Sequence, residues 1–288
     1  MTLQQLLTQG TQQLNSAGVP DAELDARYLL LSAFDLSLAS FLAGRGREIA
    51  GIPDGETRAG AYLALVKRRA ERIPLQQLLG VQEFMGLEFY VNEHVLIPRQ
   101  DTETLVELVL EEQRDRELDV LDVCTGSGCI AVSLAKLGGY RSVTALDVSE
   151  EALAVAERNA GSLLAGCEGR FRLLQSDMFS GLEPGAQFDV LVSNPPYIPS
   201  RVIDGLEPEV RDHEPRLALD GSPDGLKFYR ILAAEGKRHL RRGGAVYLEI
   251  GWDQSEAVSA LFEAEGYSEI RTVKDMAGLD RVVRAGWP

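Results

Sequence analysis

The chain has 288 residues, of which 45% are hydrophobic and 25% charged, and its formal net charge is −15 at pH 7. This composition is typical of a globular protein with one large domain or two modest ones. The negative charge opposes non-specific binding to nucleic acids, no apolar run reaches the roughly 18 residues of a membrane span, and the N-terminus has no signal-peptide pattern.

The cysteines and histidines give no indication of a metal site. Cys124, Cys129 and Cys167 are a sparse set without metal-ligand spacing, which favours a reducing compartment. We interpret Cys124 and Cys129 as packing residues, because neither has an evident base beside it to make it a nucleophile. We expect a cytoplasmic protein that binds no metal and no membrane.

The N-terminal part of the chain predicts a small bundle of four or five helices. Thr2 and Gln5 fit a capping box at the start of the first helix. Asp21 is placed to cap a second helix, which carries Leu24, Tyr28 and Leu31 on one side. The bundle shows no catalytic pattern, so we interpret it as a binding or positioning module.

A basic run, Lys67-Arg68-Arg69 with Arg72, ends the last helix predicted for this bundle. It indicates either a local basic patch, in spite of the negative net charge of the chain, or a solvated helix face. Short β-prone runs follow at 84–85, 87–91 and 94–97, and they predict a hairpin. Beyond them, Asp101 or Thr102 is placed to cap another helix.

From residue 118 the pattern alternates strand and helix, which indicates an α/β fold with a parallel sheet. A short turn joins the last two strands, so that pair must be antiparallel. The segment 198–224 is too long for an ordinary connection. We interpret it as a lid or substrate loop, with an unstructured segment as the alternative. The predicted strands are 120–123, 143–146, 171–174, 188–193, 245–250, 268–273 and 281–285.

A glycine-containing turn follows the first strand of this sheet, in the run Cys124-Thr125-Gly126-Ser127-Gly128. Glycines there let a ligand approach the backbone and expose the amides of a helix N-terminus. Asp147, at the end of the next strand, is placed to accept hydrogen bonds from ribose hydroxyls. The turn also satisfies the Gly-x-Gly-x-x-Gly/Ala pattern, so a nicotinamide oxidoreductase remains open at this point.

The fourth strand ends in Asn194-Pro195-Pro196-Tyr197. A plain strand stop with a polyproline turn is one interpretation, because proline cannot continue strand pairing. Hydride transfer, however, needs a proton donor or acceptor such as His, Lys or Tyr near the substrate carbon. The Asn194 amide oxygen and a prolyl carbonyl are instead two acceptors suited to a planar –NH₂ group. The motif therefore favours methylation of such a nitrogen over hydride transfer.

These motifs together resemble the HemK/PrmC family of protein-(glutamine-N5) methyltransferases. The likeness extends over nearly the whole chain, and the combination with the segment Ile97-Pro98-Arg99-x-Asp101-Thr102-Glu103 is more specific than Asn-Pro-Pro-Tyr alone, which adenine-N6 methyltransferases share. Family members commonly have Pro at position 100, Gly at 124 and an aromatic residue at 178, where this chain has Gln100, Cys124 and Met178. The other residues that show the likeness are the turn 122–128, Asp147, residues 194–197 and Leu248-Glu249-Ile250-Gly251.

The resemblance implies a class I fold that uses S-adenosylmethionine, with a seven-stranded Rossmann-like sheet whose last strand is antiparallel and a small N-terminal helical bundle. It implies that Asn194 and Pro195 are catalytic and that these two, with Pro196 and Tyr197, bind the glutamine amide. It implies a cofactor site made of Cys124, Thr125, Gly126, Ser127, Gly128, Asp147, Asp177, Met178, Asn194 and Arg99.

The resemblance also implies a substrate: the Gly-Gly-Gln loop of class-1 peptide-chain release factors. We expect a helical substrate-docking domain at 1–76, a hairpin linker at 77–98, a catalytic domain at 99–288 and a monomer that makes no direct sequence-specific contact with nucleic acid. The alternatives are a ribosomal-protein glutamine methyltransferase, a DNA adenine-N6 methyltransferase, and a catalytically silent cofactor-binding adaptor. The negative charge and the absence of an evident target-recognition domain disfavour the DNA enzyme.

Overall fold

The computed structural model describes residues 1–115, 117–166 and 169–288, so Cys167 lies outside the described residues. They fall into two compact units, one of Met1–Gly80 with Glu207–His213 and the other of Val81–Leu206 with Glu214–Pro288. The functional division at residues 76 and 98 stays a prediction. The helices and strands in chain order are α1 (Leu3–Ser16), α2 (Ala22–Phe34), α3 (Leu38–Gly44), α4 (Gly55–Ala70), α5 (Leu75–Leu79), β1 (Val81–Phe84), β2 (Leu87–Tyr90), α6 (Gln100–Glu112), β3 (Asp119–Val123), α7 (Cys129–Ser133), β4 (Ser142–Asp147), α8 (Glu150–Leu163), β5 (Phe171–Gln175), β6 (Phe188–Ser193), α9 (Ser200–Ile203), α10 (Pro208–His213), α11 (Arg216–Leu219), α12 (Lys227–Gly236), β7 (Leu240–Glu249), α13 (Ser255–Ala264), β8 (Ser268–Lys274) and β9 (Asp280–Gly286).

The first unit is the predicted helical bundle. The capping box is confirmed, because the Thr2 hydroxyl accepts from the Gln5 amide and the Gln5 side chain accepts from the Thr2 amide. The cap at Asp21 is wrong: its side chain makes no capping hydrogen bond. Leu24 and Tyr28 lie on the exposed side of α2, and the core face of that helix consists of other residues. Its buried positions are Ala22, Asp25, Ala26, Leu29, Leu30 and Phe34.

The basic run on α4 is neither a uniform patch nor a uniform solvated face. Lys67 and Arg68 are exposed, but Arg69 is buried. Arg69 pairs with Asp25 at 2.7 Å and with Glu209 of α10 at 2.8 Å. Arg72 also binds Glu209, at 2.6 Å. Buried charges require such partners, and these partners are remote in sequence, so the charge pattern of α4 alone did not reveal them.

Among the described residues, no single helix is long and apolar enough to cross a membrane. The pair α2 and α3, bent by 91° to one another, has the length and composition of a span only when the two helices are taken together.

In the second unit, seven strands of the described residues form one sheet in the order β5-β4-β3-β6-β7-β9-β8. Strands β3 to β7 are parallel, and β9 runs antiparallel to both of its neighbours. Every residue of β6 except Asp189 is buried, as expected for a central strand covered on both faces. The predicted α/β class, with a final antiparallel strand and an N-terminal bundle, is confirmed.

The hairpin before the sheet is shorter than its β-prone runs predicted. β1 and β2 pair across a turn at Met85 and Gly86, which have φ of 53° and 71°. Two positive φ values in a two-residue loop match the twist of the flanking strands. Residues 94–97 are not a strand but a turn and irregular chain, and α6 begins at Gln100 without a side-chain cap from its flanking residue, so those two predictions were wrong.

The segment 198–224 is structured, so the unstructured alternative was wrong. It contains α9, α10 and α11, and α10 belongs to the first unit whereas α9 and α11 belong to the second. Its function as a lid or substrate loop stays a prediction.

Candidate active site

The candidate site lies where the strand order of the sheet reverses. β3 has β4 on one side and β6 on the other, and ligands of open α/β sheets bind at this switch point, beyond the carboxyl ends of the strands. Val123 is in register with Leu146 and with Ser193. The next residues, Cys124, Asp147 and Asn194, therefore meet at one edge of the sheet.

The glycine-containing turn is held against the end of β4. The Gly126 amide donates to Asp147 Oδ2 at 2.8 Å, and the Ser149 amide donates to Oδ1 at 3.0 Å. The Thr125 hydroxyl donates to the buried Asp122 carboxylate at 2.6 Å. Gly128, with φ of 79°, precedes the first turn of α7, and a Cβ there would come within 3.1 Å of Ala156. The glycine at 128 thus lets α8 pack closely behind the turn.

A cavity of about 300 Å³ opens above this turn. The predicted cofactor residues that line it are Arg99, Cys124, Thr125, Gly126, Ser127, Asp147, Asp177, Met178 and Asn194, together with Pro196 of the predicted amide slot. Gly128, Pro195 and Tyr197 are not part of its wall. The structure therefore brings most of the predicted residues around one space, and their individual roles stay predictions.

The cavity suits S-adenosylmethionine. A Cβ at Gly126 would meet no atom within 4 Å, so the backbone there borders open space that a ligand can approach. Burial raises the pKa of Asp147, although backbone amides of Ser149 and Gly126 oppose the rise. Its oxygens keep spare lone pairs for ribose hydroxyls. Cys124 Sγ lies 4.0 Å from Met178 Sδ, and these sulfurs give the wall a soft, polarisable surface.

The cysteines at this site are unsuited to nucleophilic chemistry. Burial raises the pKa of Cys124 and of Cys129, so both thiols stay protonated. This agrees with their interpretation as packing residues. Within the described chain, no group of three or more His, Cys, Asp or Glu side chains is arranged to hold a metal ion.

Asn194 and Tyr197 connect to two residues to which the sequence assigned no role here. Asn194 Nδ2 donates to the Thr102 hydroxyl at 3.4 Å. The Tyr197 hydroxyl donates to Glu249 Oε1 at 3.3 Å, and the Tyr229 hydroxyl donates to the Glu249 backbone carbonyl at 2.8 Å. Thr102 and Glu249 both stand in motifs that carried the resemblance, which was the only available signal for them.

Two glycines that follow α11, Gly221 and Gly225, lie directly against the backbone of Tyr197. A Cβ at Gly221 would lie 2.8 Å from the Tyr197 Cα, and one at Gly225 would lie 2.4 Å from the Tyr197 carbonyl oxygen. Gly225 also has φ of 76°, which side chains rarely adopt. The Gln254 amide donates to that same carbonyl at 3.1 Å. Together these contacts fix the far end of the Asn-Pro-Pro-Tyr motif.

Another wall of the cavity is held by a buried carboxylate. Glu214 accepts from Arg99 at 2.6 Å and from the Ile97 amide at 3.2 Å. It is 6% exposed, and burial raises its pKa while Arg99 lowers it. The ion pair joins the segment before α6 to the start of the Pro215–Ala218 wall. Sequence spacing could not reveal it, since the partners are more than a hundred residues apart.

The chain is similar to known proteins over nearly its whole length. The model of the PrmC N-terminal domain matches residues 5–80, and that of the methyltransferase small domain matches residues 100–204. A release factor glutamine methyltransferase of Caulobacter vibrioides is 42% identical over 284 residues, which cover 98% of this chain and 96% of the relative. The enzyme of the same name from Moorella thermoacetica is 45% identical over 283 residues, with 98% and 97% covered.

A solved structure shares the fold. The Pyrococcus furiosus methyltransferase has a TM-score of 0.54 and 21% identity, and the match covers 76% of this chain and 98% of that one. The shared fold confirms the resemblance found in the motifs, and so do the identities of 42% and 45% to relatives matched over nearly their full length. The chain belongs to the release factor glutamine methyltransferase family.

Proposed function

We propose that this chain transfers a methyl group from S-adenosylmethionine to the side-chain amide nitrogen of a glutamine in a class-1 peptide-chain release factor. The observation that carries the proposal is the placement of Asn194. Its side chain lines the cavity at the switch point of the sheet, with the glycine turn and Asp147 at the same edge. Asn194 Oδ1 makes no hydrogen bond to any described residue, so it is available to a substrate.

The cofactor supplies an electrophilic methyl group on a sulfonium. Asp147 would accept hydrogen bonds from its ribose, the turn 124–128 would hold its methionine end, and Asp177 with Met178 would border its adenine. The hydrogen bond from the Gly126 amide to Asp147 holds this turn against the end of β4. Strong binding therefore depends on a turn that is already in place before the ligand arrives.

The chain's own contribution to catalysis is to hold the substrate amide. Asn194 Oδ1 and the Pro195 carbonyl would accept the two N–H bonds of the glutamine –NH₂, and Pro196 and Tyr197 would shape the slot around the flat group. Fixing the nitrogen in line with the methyl removes much of the entropic cost of the reaction, and the two acceptors stabilise the positive charge that develops on nitrogen. The extra proton leaves to water, so no strong base is required.

The first unit is proposed to dock the release factor. Its helices α2 and α3 expose apolar side chains one helical turn apart, Leu24 with Tyr28 and Leu38 with Leu42, each between 46% and 55% exposed. Exposed apolar clusters often mark protein interaction surfaces. Docking there would make capture of the Gly-Gly-Gln loop effectively intramolecular. The proposal places this activity in the cytoplasm and takes a monomer as the active form.

Acceptor competition tests the proposed function. The chain is incubated with labelled S-adenosylmethionine and equal amounts of a class-1 release factor, ribosomal proteins and adenine-containing DNA. We expect the label on the release factor. Label on a ribosomal protein alone, or on DNA alone, would overturn the substrate and favour one of the alternatives.

Docking is tested with surface substitutions rather than by deleting residues 1–76, because a deletion would remove Arg69 and Arg72, the partners of Glu209. The double variant Leu24→Ser/Tyr28→Ser should raise KM for the intact release factor and leave KM for a Gly-Gly-Gln peptide unchanged. Lys67→Ser/Arg68→Ser, exposed on α4, is the matched control. Equal losses on protein and peptide would contradict docking.

A further inference from the structure

We infer that two neighbouring turns at the site edge of the sheet, 251–254 and 275–279, form a contact surface for the release factor beside the target glutamine. This turn surface consists of the exposed side chains of Trp252, Met276 and Leu279. It binds an apolar side chain of the partner that has lysine or arginine as a neighbour. The inference rests on the proposed function and adds a second contact to the one proposed on α2 and α3.

The three side chains of the turn surface are large, apolar and exposed. Trp252 is 64% exposed, Leu279 is 45% exposed and Met276 is fully exposed. A single exposed apolar residue is common on a protein surface and needs no explanation. Three of them on adjoining turns leave apolar area in water that a partner can cover. Tryptophan is also enriched among the residues that contribute most to protein interfaces, so this composition favours a protein partner.

Hydrogen bonds place the two turns side by side. Strands β7 and β9 are antiparallel neighbours, so the chain that leaves β7 lies next to the chain that enters β9. Before the first turn, the Ile250 amide donates to the Arg281 carbonyl at 2.9 Å. After it, the Ser255 hydroxyl donates to the Asp280 carboxylate at 2.6 Å. The first turn is therefore held at both ends beside the start of β9, which the second turn directly precedes.

The first turn is also attached to the predicted amide slot. Gln254 is buried, and its Nε2 donates to the Tyr197 carbonyl at 3.1 Å. Its Oε1 accepts from the Gly251 amide at 2.9 Å. One side chain thus joins the turn that carries Trp252 to the end of the Asn-Pro-Pro-Tyr motif. A glutamine held in the slot brings the residues on either side of it near this turn.

The second turn is ordered before any partner arrives. The Asp275 amide donates to the Leu279 carbonyl at 2.9 Å, and the Leu279 amide donates to Asp275 Oδ1 at 3.0 Å. Arg281 binds the same carboxylate at 3.0 Å. A turn that is already ordered loses little conformational entropy when it binds a partner. These bonds therefore make Met276 and Leu279 a preorganised contact.

The charges beside the turn surface are complementary to a basic partner. Asp253 and Glu256 are exposed, and neither forms an ion pair with another residue of the described chain. Lys274, the exposed cation that precedes the second turn, is already paired with Asp280 at 2.6 Å. A lysine or arginine of a partner would therefore meet unpaired carboxylates, and such complementarity favours association. Apolar side chains with an acidic margin fit an apolar residue with basic neighbours.

The two tryptophans of the chain allow a direct test. Trp252 lies on the turn surface, whereas Trp287 follows the far end of β9 and packs against Tyr267, with 5.2 Å between ring centroids. The full chain is labelled with 5-fluorotryptophan, and the Trp287→Phe variant assigns its two fluorine resonances. Unlabelled class-1 release factor is added with S-adenosylhomocysteine, so that no methyl group is transferred. We expect the Trp252 resonance to shift or broaden and the Trp287 resonance to stay unchanged.

A kinetic test uses a variant of the same residue. Trp252→Ser should raise KM for the release factor about tenfold. It should leave kcat within about twofold, because Trp252 does not line the cavity. Leu137→Ser is the matched control, since Leu137 is 46% exposed and lies between α7 and β4, away from the site edge. Calorimetric binding of S-adenosylmethionine should be unchanged in both variants, which shows that the fold is intact.

The charge of the partner is tested separately. Asp253→Asn/Glu256→Gln should raise KM for the release factor and weaken its dependence on salt concentration, because the screened attraction has been removed. Glu183→Gln/Glu235→Gln is the control with the same loss of negative charge, and its residues are exposed before β6 and on α12. Equal KM values and equal salt dependence for the two double variants would overturn the basic partner.

The outcomes are distinguishable. If the wild-type chain methylates the release factor and the Trp252 resonance does not respond, the turn surface is wrong and the proposed function stands. A resonance that changes with the concentration of the chain alone would show that a second copy covers the surface, which also overturns the inference. So would a KM for Trp252→Ser no higher than that for Leu137→Ser. A wild-type chain that methylates no glutamine would overturn the proposed function, and the inference with it.

Discussion

Gly225 is the position where a single added methyl group should damage the site most directly. In Gly225→Ala the new Cβ would stand 2.4 Å from the Tyr197 carbonyl oxygen and 2.7 Å from Gln254 Nε2. An ordinary contact is near 3.4 Å, so the Asn-Pro-Pro-Tyr backbone would have to move by about 1 Å. The hydrogen bond from Gln254 to Tyr197 would be disturbed by the same movement.

The cost has two parts that a control variant can separate. A side chain at positive φ costs about 1–2 kcal/mol, and forcing an extra carbon into a packed site costs about 1–3 kcal/mol more. Gly185 has φ of 84° and no atom within 4 Å of its Cβ position. Gly185→Ala should therefore lower the free energy of unfolding by the cost of positive φ alone. Gly225→Ala should lower it by both costs.

The assay is urea unfolding of both variants, followed by methyl transfer to a release factor. A displacement of about 1 Å at a reacting group can cost on the order of 10²-fold in rate. We therefore expect Gly225→Ala to be at least about 1 kcal/mol less stable than Gly185→Ala and far slower, with Gly185→Ala near wild-type activity. Equal stabilities and equal rates would refute the argument that Gly225 supports Tyr197.

Three other substitutions follow from the described contacts. Asn194→Ala should lower kcat by about 10²–10³ and leave cofactor binding measured by calorimetry largely intact; more than about a tenth of the wild-type rate would contradict the amide clamp. Asp147→Asn should weaken S-adenosylmethionine binding and shift the turn, because the Gly126 amide loses a charged acceptor; unchanged affinity would remove Asp147 from the cofactor site. Burial alone would raise the pKa of Glu209, but hydrogen bonds from Arg72 and Arg69 lower it below its ordinary value. Its stabilising effect is therefore present above the pKa of an unfolded glutamate and is lost as pH falls through the lower folded value. Glu209→Gln should be less stable than wild type at pH 7 and lose less stability on acidification, and parallel stability curves would contradict this.

The sequence predicted those features that depend on short-range patterns. The apolar run of β6 and the proline pair that ends it were sufficient to locate the strand and Asn194. The alternation after residue 118 predicted the sheet, and the short final turn predicted its antiparallel strand. Local signals were misleading where tertiary contacts decide: residues 94–97 have β propensity but no pairing partner in the described sheet, and α6 begins without the side-chain cap that Asp101 or Thr102 could supply.

What the sequence could not predict are pairings between remote residues. Arg69 looked like part of a basic surface, since nothing near it in sequence shows that Asp25 and Glu209 neutralise it. Thr102 looked like a helix cap, and only the folded structure shows that its hydroxyl accepts a hydrogen bond from Asn194, which is 92 residues away in sequence. Nothing in the sequence singled out Gly225. Its constraint comes from Tyr197, which lies in a different part of the chain.

The most direct measurement is the position of the transferred methyl group. A class-1 release factor is incubated with the chain and labelled S-adenosylmethionine, and the product is fragmented in a mass spectrometer. The account predicts one methyl on the side-chain nitrogen of the Gly-Gly-Gln glutamine, and none when that glutamine is replaced by glutamate. A methyl on any other residue, or one that persists after the replacement, would contradict it.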